Sequence, residues 1–161
     1  MTIYGLIAHP AGHSQSPAMQ NKMISKYGID AYYHMFDVQP DNLASTISGL
    51  KLLNVGGFNV STPFKSDIIA YLDELTPLAQ RLQAVNTVKN LNGRLIGTNT
   101  DGDGFWQSIN PNQPHENVVI LGTGGAARAV IATAKQYGVR HLTAFNRPHV
   151  GWSQRETAIA Y

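Results

Sequence analysis

Four short segments carry the residues with chemistry to offer. HPAGHSQSP (9–17) holds Ser14 and Ser16, one residue apart, and NVSTPFK (59–65) holds Asn59, Ser61, Thr62 and Lys65. AVNT (84–87) supplies Asn86 and Thr87, and GTNTDGDG (97–104) supplies Asn99, Thr100, Asp101 and Asp103. Hydroxyls and amides both donate and accept hydrogen bonds. With one lysine and one carboxylate, they make a suitable lining for a small acid that bears several hydroxyl groups. A lysine beside a carboxylate and a ligand hydroxyl can exchange a proton with that hydroxyl. Lys65 falls in the first turn of an expected helix, where a cation opposes the macrodipole, and Asp101 is the candidate counter-charge.

Each residue also has an ordinary structural role. Ser16 ahead of Pro17 is a good N-cap, Lys65 suits an exposed helix, and Asp101 before Gly102 suits a turn or a cap. His9 and His13 have no third ligand near them in the sequence, and the chain has no cysteine, so no metal is expected.

A second kind of chemistry lies further on. Gly122, Gly124 and Ala127 in GTGGAA (122–127) match G-x-G-x-x-A, between an apolar run and a helical pattern. In that setting Gly122 allows a tight turn, Gly124 lets backbone approach a pyrophosphate, and helix N–H groups receive the phosphates. The next strand ends at Asn146 and Arg147, about where an NAD site would carry an acidic residue. No Asp or Glu occurs between Glu116 and Glu156. A basic Arg147 suits a 2′-phosphate, so NADP is the expected cofactor.

The elements that must hold these segments alternate between strand and helix. TIYGLIA (2–8), AYYHMFDV (31–38) and GFNVST (57–62) read as strands. Helices are expected over 17–28, with Pro17 at the start and Gly28 at the stop, from Asp41 as N-cap to Leu53, and over 63–75 behind Pro63. TPLAQRLQ suits another short helix, and AVNTVKN and RLIGTNT flank Asn92-Gly93, a strong hairpin signal. DGDGFWQSI opens a helix. NPNQPHEN (110–117) is a polar break, so the chain is expected to be α/β with domains at 1–110 and 111–161. The second holds one strand–helix–strand unit with a parallel pair, an incomplete Rossmann-type fold.

Composition narrows the classes further. The 161 residues are 43% hydrophobic with a net charge of +2, which gives no footprint for nucleic acid. No run approaches the ~18 apolar residues of a membrane span, and the N-terminus lacks a basic region and a long enough apolar run for a signal peptide. These features fit a cytoplasmic protein.

HPAGHSQSP, NVSTPFK, AVNTV, GTNTDGDG and GTGGAARA occur in the order, and at about the spacing, seen in shikimate dehydrogenases. The chain resembles that family from residue 3 to about 147. The resemblance implies NADPH-dependent reduction of 3-dehydroshikimate to shikimate, a step of aromatic amino-acid biosynthesis. It makes 1–110 the substrate-binding domain and 111–161 part of the NADP-binding domain. Ser14 and Ser16 match serines that bind the substrate carboxylate, and Ser61 stands where the family usually has threonine. Asn86 and Asp101 match residues that bind ring hydroxyls, and Lys65 the catalytic lysine paired with Asp101. Gly122, Gly124, Gly125 and Ala126 match the diphosphate loop, and Asn146 and Arg147 the adenosine-phosphate end.

The chain also departs from that pattern. A dinucleotide fold needs two mononucleotide-binding halves, and residues 117–161 supply one and a tail. Family members run on well past this length, with a glutamine that completes substrate binding and a closing helix. After Arg147 the family continues with threonine and a helix, where this chain has Pro148, Gly151 and Trp152. The expectation is a surviving substrate pocket with weak or absent NADP turnover. An unpaired sheet edge would invite self-association into a homodimer. The alternatives are a non-catalytic shikimate-binding remnant or interaction module, and a quinate-using relative.

Overall fold

A computed structural model of the chain describes residues 1–109 and 115–146, together with the backbone of Thr157–Ala158. Two compact units emerge, Met1–Asn99 and Thr100–Tyr161. In the first, β1 (Thr2–Ala8), α1 (Ser16–Lys26), β2 (Ala31–Asp37), α2 (Leu43–Leu52) and β3 (Gly57–Val60) follow one another. Next come β4 (Glu74–Leu75), α3 (Pro77–Leu82) and the hairpin of β5 (Thr87–Leu91) and β6 (Arg94–Thr98). The sheet order is β2-β1-β3-β5-β6-β4. β1 pairs parallel with β2 and β3, and β5 pairs antiparallel with β3 and β6. At the hairpin tip Asn92 and Gly93 both have positive φ, 52° and 86°, the geometry of the favoured two-residue turn.

Side chains alternate across a strand, and β1 sorts two cores accordingly. Ile7 joins Val60, Phe64 and Ile68 with Leu43, Ile47 and Leu50 of α2. Leu6 and Ala8 join Ala11 and Tyr33, with Ile24 of α1 packed against them. The sheet is therefore faced by α2 on one side and α1 on the other.

Three expectations for this unit need correcting. Residues 63–75 do not form a helix: a turn leads into a 3-10 helix at Asp67–Tyr71 and then into β4. Long-range bonds override the helical pattern there. Asp73 N–H donates to the Leu95 carbonyl at 3.0 Å, the Asp73 carboxylate accepts from Leu95 N–H at 2.7 Å, and Glu74 and Leu75 pair with β6. Asp41 is not an N-cap, because Pro40–Asn42 form a 3-10 turn and α2 starts after Asn42. Nor is Ser16 a cap. The Gln15 carbonyl already accepts from Met19 N–H at 3.0 Å, so Gln15 is the N-cap and Ser16 the first helical residue.

The second unit holds α4 (Asp101–Ser108), β7 (Asn117–Leu121), α5 (Gly125–Thr133), β8 (His141–Phe145) and β9 (Thr157–Ala158). β7 and β8 are parallel, as the strand–helix–strand pattern requires, and β9 adds an antiparallel pairing on β8 from a stretch with no strong sequence pattern. The sequence break at 110–117 puts α4 in the first domain, whereas the fold puts it in the second unit. α4 packs on α5: Trp106 Nε1 donates to the Val130 carbonyl at 2.9 Å, and Trp106 stacks on Tyr137. A Cβ on Gly102 would collide with the Ala129 carbonyl and Thr133 Oγ1.

Gly102→Ala should therefore cost ~1–3 kcal/mol of stability in chemical denaturation; an unchanged midpoint would rule out the close helix approach. A second test concerns pH. The Leu95 N–H bond, aided by Lys51 at 3.1 Å, holds the Asp73 carboxyl below its ordinary value of 3.8. A depressed folded pKa gives stability that is present above the unfolded value and is lost as pH falls through the folded one. Asp73→Asn should thus lower the melting temperature at neutral pH, with the gap from wild type closing in acid below the ordinary carboxylate range.

Candidate active site

β1 and β3 run in the same direction, so their carboxyl ends share one edge of the sheet. β5 starts at that edge and β6 ends there, because each reverses direction. Backbone bonds lock the loops that leave this edge. Ser61 N–H donates to the Ile7 carbonyl at 2.9 Å and His9 N–H to the Thr62 carbonyl at 3.1 Å. Val60 N–H donates to the Asn86 carbonyl at 2.8 Å, Val85 N–H to the Lys65 carbonyl at 2.7 Å, and Asn86 N–H to the Thr98 carbonyl at 3.1 Å. The segments bearing Ser14 and Ser16, Ser61, Lys65, and Asn86 are thereby gathered at one edge of one sheet.

Within the first loop, Ser14 N–H donates to the Ala11 carbonyl at 3.0 Å, and Ser14 Oγ accepts from Ser16 N–H at 3.2 Å. The local capping role expected of Ser16 belongs to Ser14. The loop is also held from the side by His9 Nδ1, 2.8 Å from Asp37 at the end of β2. That bond, followed by one from Ala11 N–H, keeps the Asp37 carboxyl below its ordinary range. Lys65 is half-buried in the 62–66 turn, between fully buried Phe64 and the 3-10 helix. It is not in a helical first turn, so the macrodipole argument for a counter-charge does not apply. Asp101 is the first residue of α4 and lies in the second unit.

Asn86 is 9% exposed, and its neighbours form a polar cluster on the α1 side of the sheet. Asn59 Nδ2 donates to the Asn86 carbonyl at 3.2 Å and to Thr87 Oγ1 at 3.0 Å, and Tyr33 Oη donates to Asn59 Oδ1 at 2.8 Å. A cavity of about 480 Å³ is lined in part by Tyr4, Ile24, Tyr33, Gly57, Asn59 and Thr87. Tyr33 is the member that sequence reasoning missed. Nothing local separates it from an ordinary strand tyrosine; only the pairing of β2, β1 and β3 aligns it with Asn59. Among the described residues no group of three or more His, Asp or Glu side chains could hold a metal ion.

The second unit presents the glycine turn as an open helix start. Gly122 has φ +102° and its N–H donates to the Phe145 carbonyl at 2.7 Å, so glycine is needed there for conformation. Gly124 is the N-cap of α5; no side chain caps this helix, and no acidic residue lies in its first turn. A Cβ on Gly124 or Gly125 would meet nothing within 4 Å, so the protein's own packing does not demand glycine at either. Room is left for an anion against the N–H groups of residues 125–127, which fits a diphosphate. Asn146 is exposed just past β8, and Arg147, with the tail after it apart from Thr157–Ala158, lies outside the described residues.

Solved structures with this fold include shikimate 5-dehydrogenase from Listeria monocytogenes in complex with shikimate and NAD, at TM-score 0.85 and 39% identity over 91% of this chain and 52% of that one. Another is the ligand-free 5-ketofructose reductase of a Gluconobacter species, at TM-score 0.86 and 36% identity over 91% and 53%. In sequence the chain is 45% identical to the shikimate dehydrogenase (NADP(+)) of Bacillus cytotoxicus over 149 residues, 90% of this chain and 54% of that protein. The chain thus spans about half the length of the curated relatives it matches. Residues 6–88 match the family described as the shikimate dehydrogenase substrate binding domain, and it is to this family that the chain belongs.

Proposed function

We propose that the chain carries the substrate-binding domain and the opening βαβ unit of an NADP-dependent shikimate dehydrogenase, whose reaction is the reversible reduction of 3-dehydroshikimate to shikimate in aromatic amino-acid biosynthesis. The observation that carries this reading is the gathering of the Ser14–Ser16 loop, Ser61, Lys65 and Asn86 at one edge of one sheet. On this reading the two serines take the substrate carboxylate, and Ser61, Asn86 and Asp101 take ring oxygens. Lys65 gives a proton to the carbonyl oxygen being reduced and takes it back in the reverse direction, and Asp101 is the second proposed catalytic residue. Gly122, Gly124, Gly125 and Ala126 receive the diphosphate, with Asn146 and Arg147 towards the adenosine phosphate. NADPH, when bound, supplies the hydride.

Hydride transfer needs the reacting carbons ~3–3.5 Å apart, and a single mononucleotide-binding half positions only the adenosine end. Substrate binding with weak or absent turnover is therefore the proposed state of this chain. The reading places it in the cytoplasm. A homodimer is the proposed fate of the apolar surface on β7, where Val119 is 65% and Leu121 82% exposed. A second reading, reduction of another polyhydroxylated ketone such as the quinate precursor, draws support from the likeness to 5-ketofructose reductase.

The chain should bind shikimate measurably by titration calorimetry, and mixing it with shikimate and NADP⁺ should give at most a slow rise in reduced-nicotinamide absorbance. Lys65→Ala should remove any such rise, by a factor of ~10² or more, with only a modest change in binding. Folded protein that fails to bind shikimate would sink the proposal. For the cofactor, Gly124→Asp should leave the fold intact, because φ is −68° and the added Cβ meets nothing. The new carboxylate should weaken NADP⁺ binding by on the order of tenfold, read as lost thermal protection. Equal protection of the variant would count against the diphosphate site.

A further inference from the structure

We infer that Tyr33, Asn59 and Thr87 form a one-way hydrogen-bond relay that orients the side-chain amide of Asn86, so that Tyr33 and Thr87 are positioning residues for substrate recognition. The inference rests on the proposed reading in which Asn86 meets a ring hydroxyl.

The direction of the relay follows from what each group can do. A backbone carbonyl only accepts, so the 3.2 Å contact between Asn59 and the Asn86 carbonyl must be made by Asn59 Nδ2. That fixes the Asn59 amide and turns its Oδ1 to Tyr33, whose hydroxyl must donate across the 2.8 Å contact. The same Nδ2 donates to Thr87 Oγ1 at 3.0 Å, which fills an acceptor site on that hydroxyl. Thr87 Oγ1 in turn donates its one proton to Asn86 Oδ1 at 2.9 Å. With Oδ1 so engaged, Asn86 recognises a ligand through its NH₂ group and selects an oxygen that accepts. Chains of bonds with every donor pointing one way polarise and strengthen each other.

The anchor of the relay is well held. Tyr33 is 4% exposed, and burial pushes its phenol up to about 12, so it remains a donor across the physiological range. Asn21 of α1 clasps its backbone at both ends, accepting from Tyr33 N–H at 2.8 Å and donating to its carbonyl at 2.8 Å. The helix that Ser16 opens therefore also sets the first link of the chain of bonds ending at Asn86.

The test is a set of variants read two ways. Shikimate titration by calorimetry should show Thr87→Val weakened by about tenfold and Thr87→Ser within about twofold of wild type. In an Asn86→Ala background Thr87→Val should cause no further loss, an outcome that a general packing role would not give. Equal affinity of wild type and Thr87→Val, or a full further loss in the Asn86→Ala background, overturns the inference. Without ligand, the side-chain NH₂ signals of Asn86, assigned by their disappearance in Asn86→Ala, should shift and broaden in Thr87→Val and in Tyr33→Phe. Unchanged signals overturn the relay whatever the ligand proves to be, whereas wild-type protein that ignores shikimate while those signals respond overturns only the proposed substrate.

Discussion

The parallel pairing of β1 with β3 is the constraint on which the rest of the first unit depends. Its register sets Ile7 opposite Val60 and Leu6 opposite Asn59. Successive side chains point to opposite faces, so a slip of one residue exchanges every face. Val60 would then leave the core it shares with α2, and Asn59 would enter that core without its tyrosine and threonine partners. The hydrophobic pattern that specifies folding therefore also specifies where the polar cluster stands. Past the strand ends the same ladder continues as the Ser61-to-Ile7 and His9-to-Thr62 bonds, which carry its precision into the loops.

Much of this was legible in the sequence wherever the deciding chemistry is local. Asn92-Gly93 specifies its own positive φ values, and the glycine turn with its flanking apolar run and helix specifies a strand–helix–strand unit. Residues 63–75 were not legible, because their helical pattern is outweighed by bonds from Asp73 to Leu95 and from β4 to β6. The role of Ser16 was hidden by one residue of phase: with Gln15 as the cap, the capping hydroxyl shifts to Ser14. Tyr33 could not be found at all from spacing, since its partner Asn59 is distant in sequence and adjacent only through two strand pairings.

The strands of the two units differ in how far their apolar residues are covered. In the first, α1 and α2 take opposite faces of the sheet, and Ile7, Ile68 and Val85 are completely buried. In the second, NVVIL of β7 is a nearly continuous apolar run, the pattern of a parallel strand covered on both faces. Yet Val119 and Leu121 lie exposed on alternate positions, so one face of this strand is left uncovered by the described residues.

On the proposed reading, this asymmetry separates binding from turnover in energetic terms. Ser14, Ser16, Ser61, Lys65 and Asn86 all hang from the unit whose core is closed, and their loops are tied by backbone bonds internal to it. Loops held in this way cost less to order at the moment of binding, which is where preorganised sites gain affinity. Hydride transfer on that reading depends on placing the far end of a dinucleotide, and among the described residues the open N–H donors of the second unit lie at the near end, in the first turn of α5. An interaction that grips the adenosine diphosphate equally well before and during reaction lowers no barrier. On the proposed reading, the carboxyl ends of β1 and β3 that collect the serines form a recognition surface within the first unit, whereas turnover depends on how the far end of the dinucleotide is held.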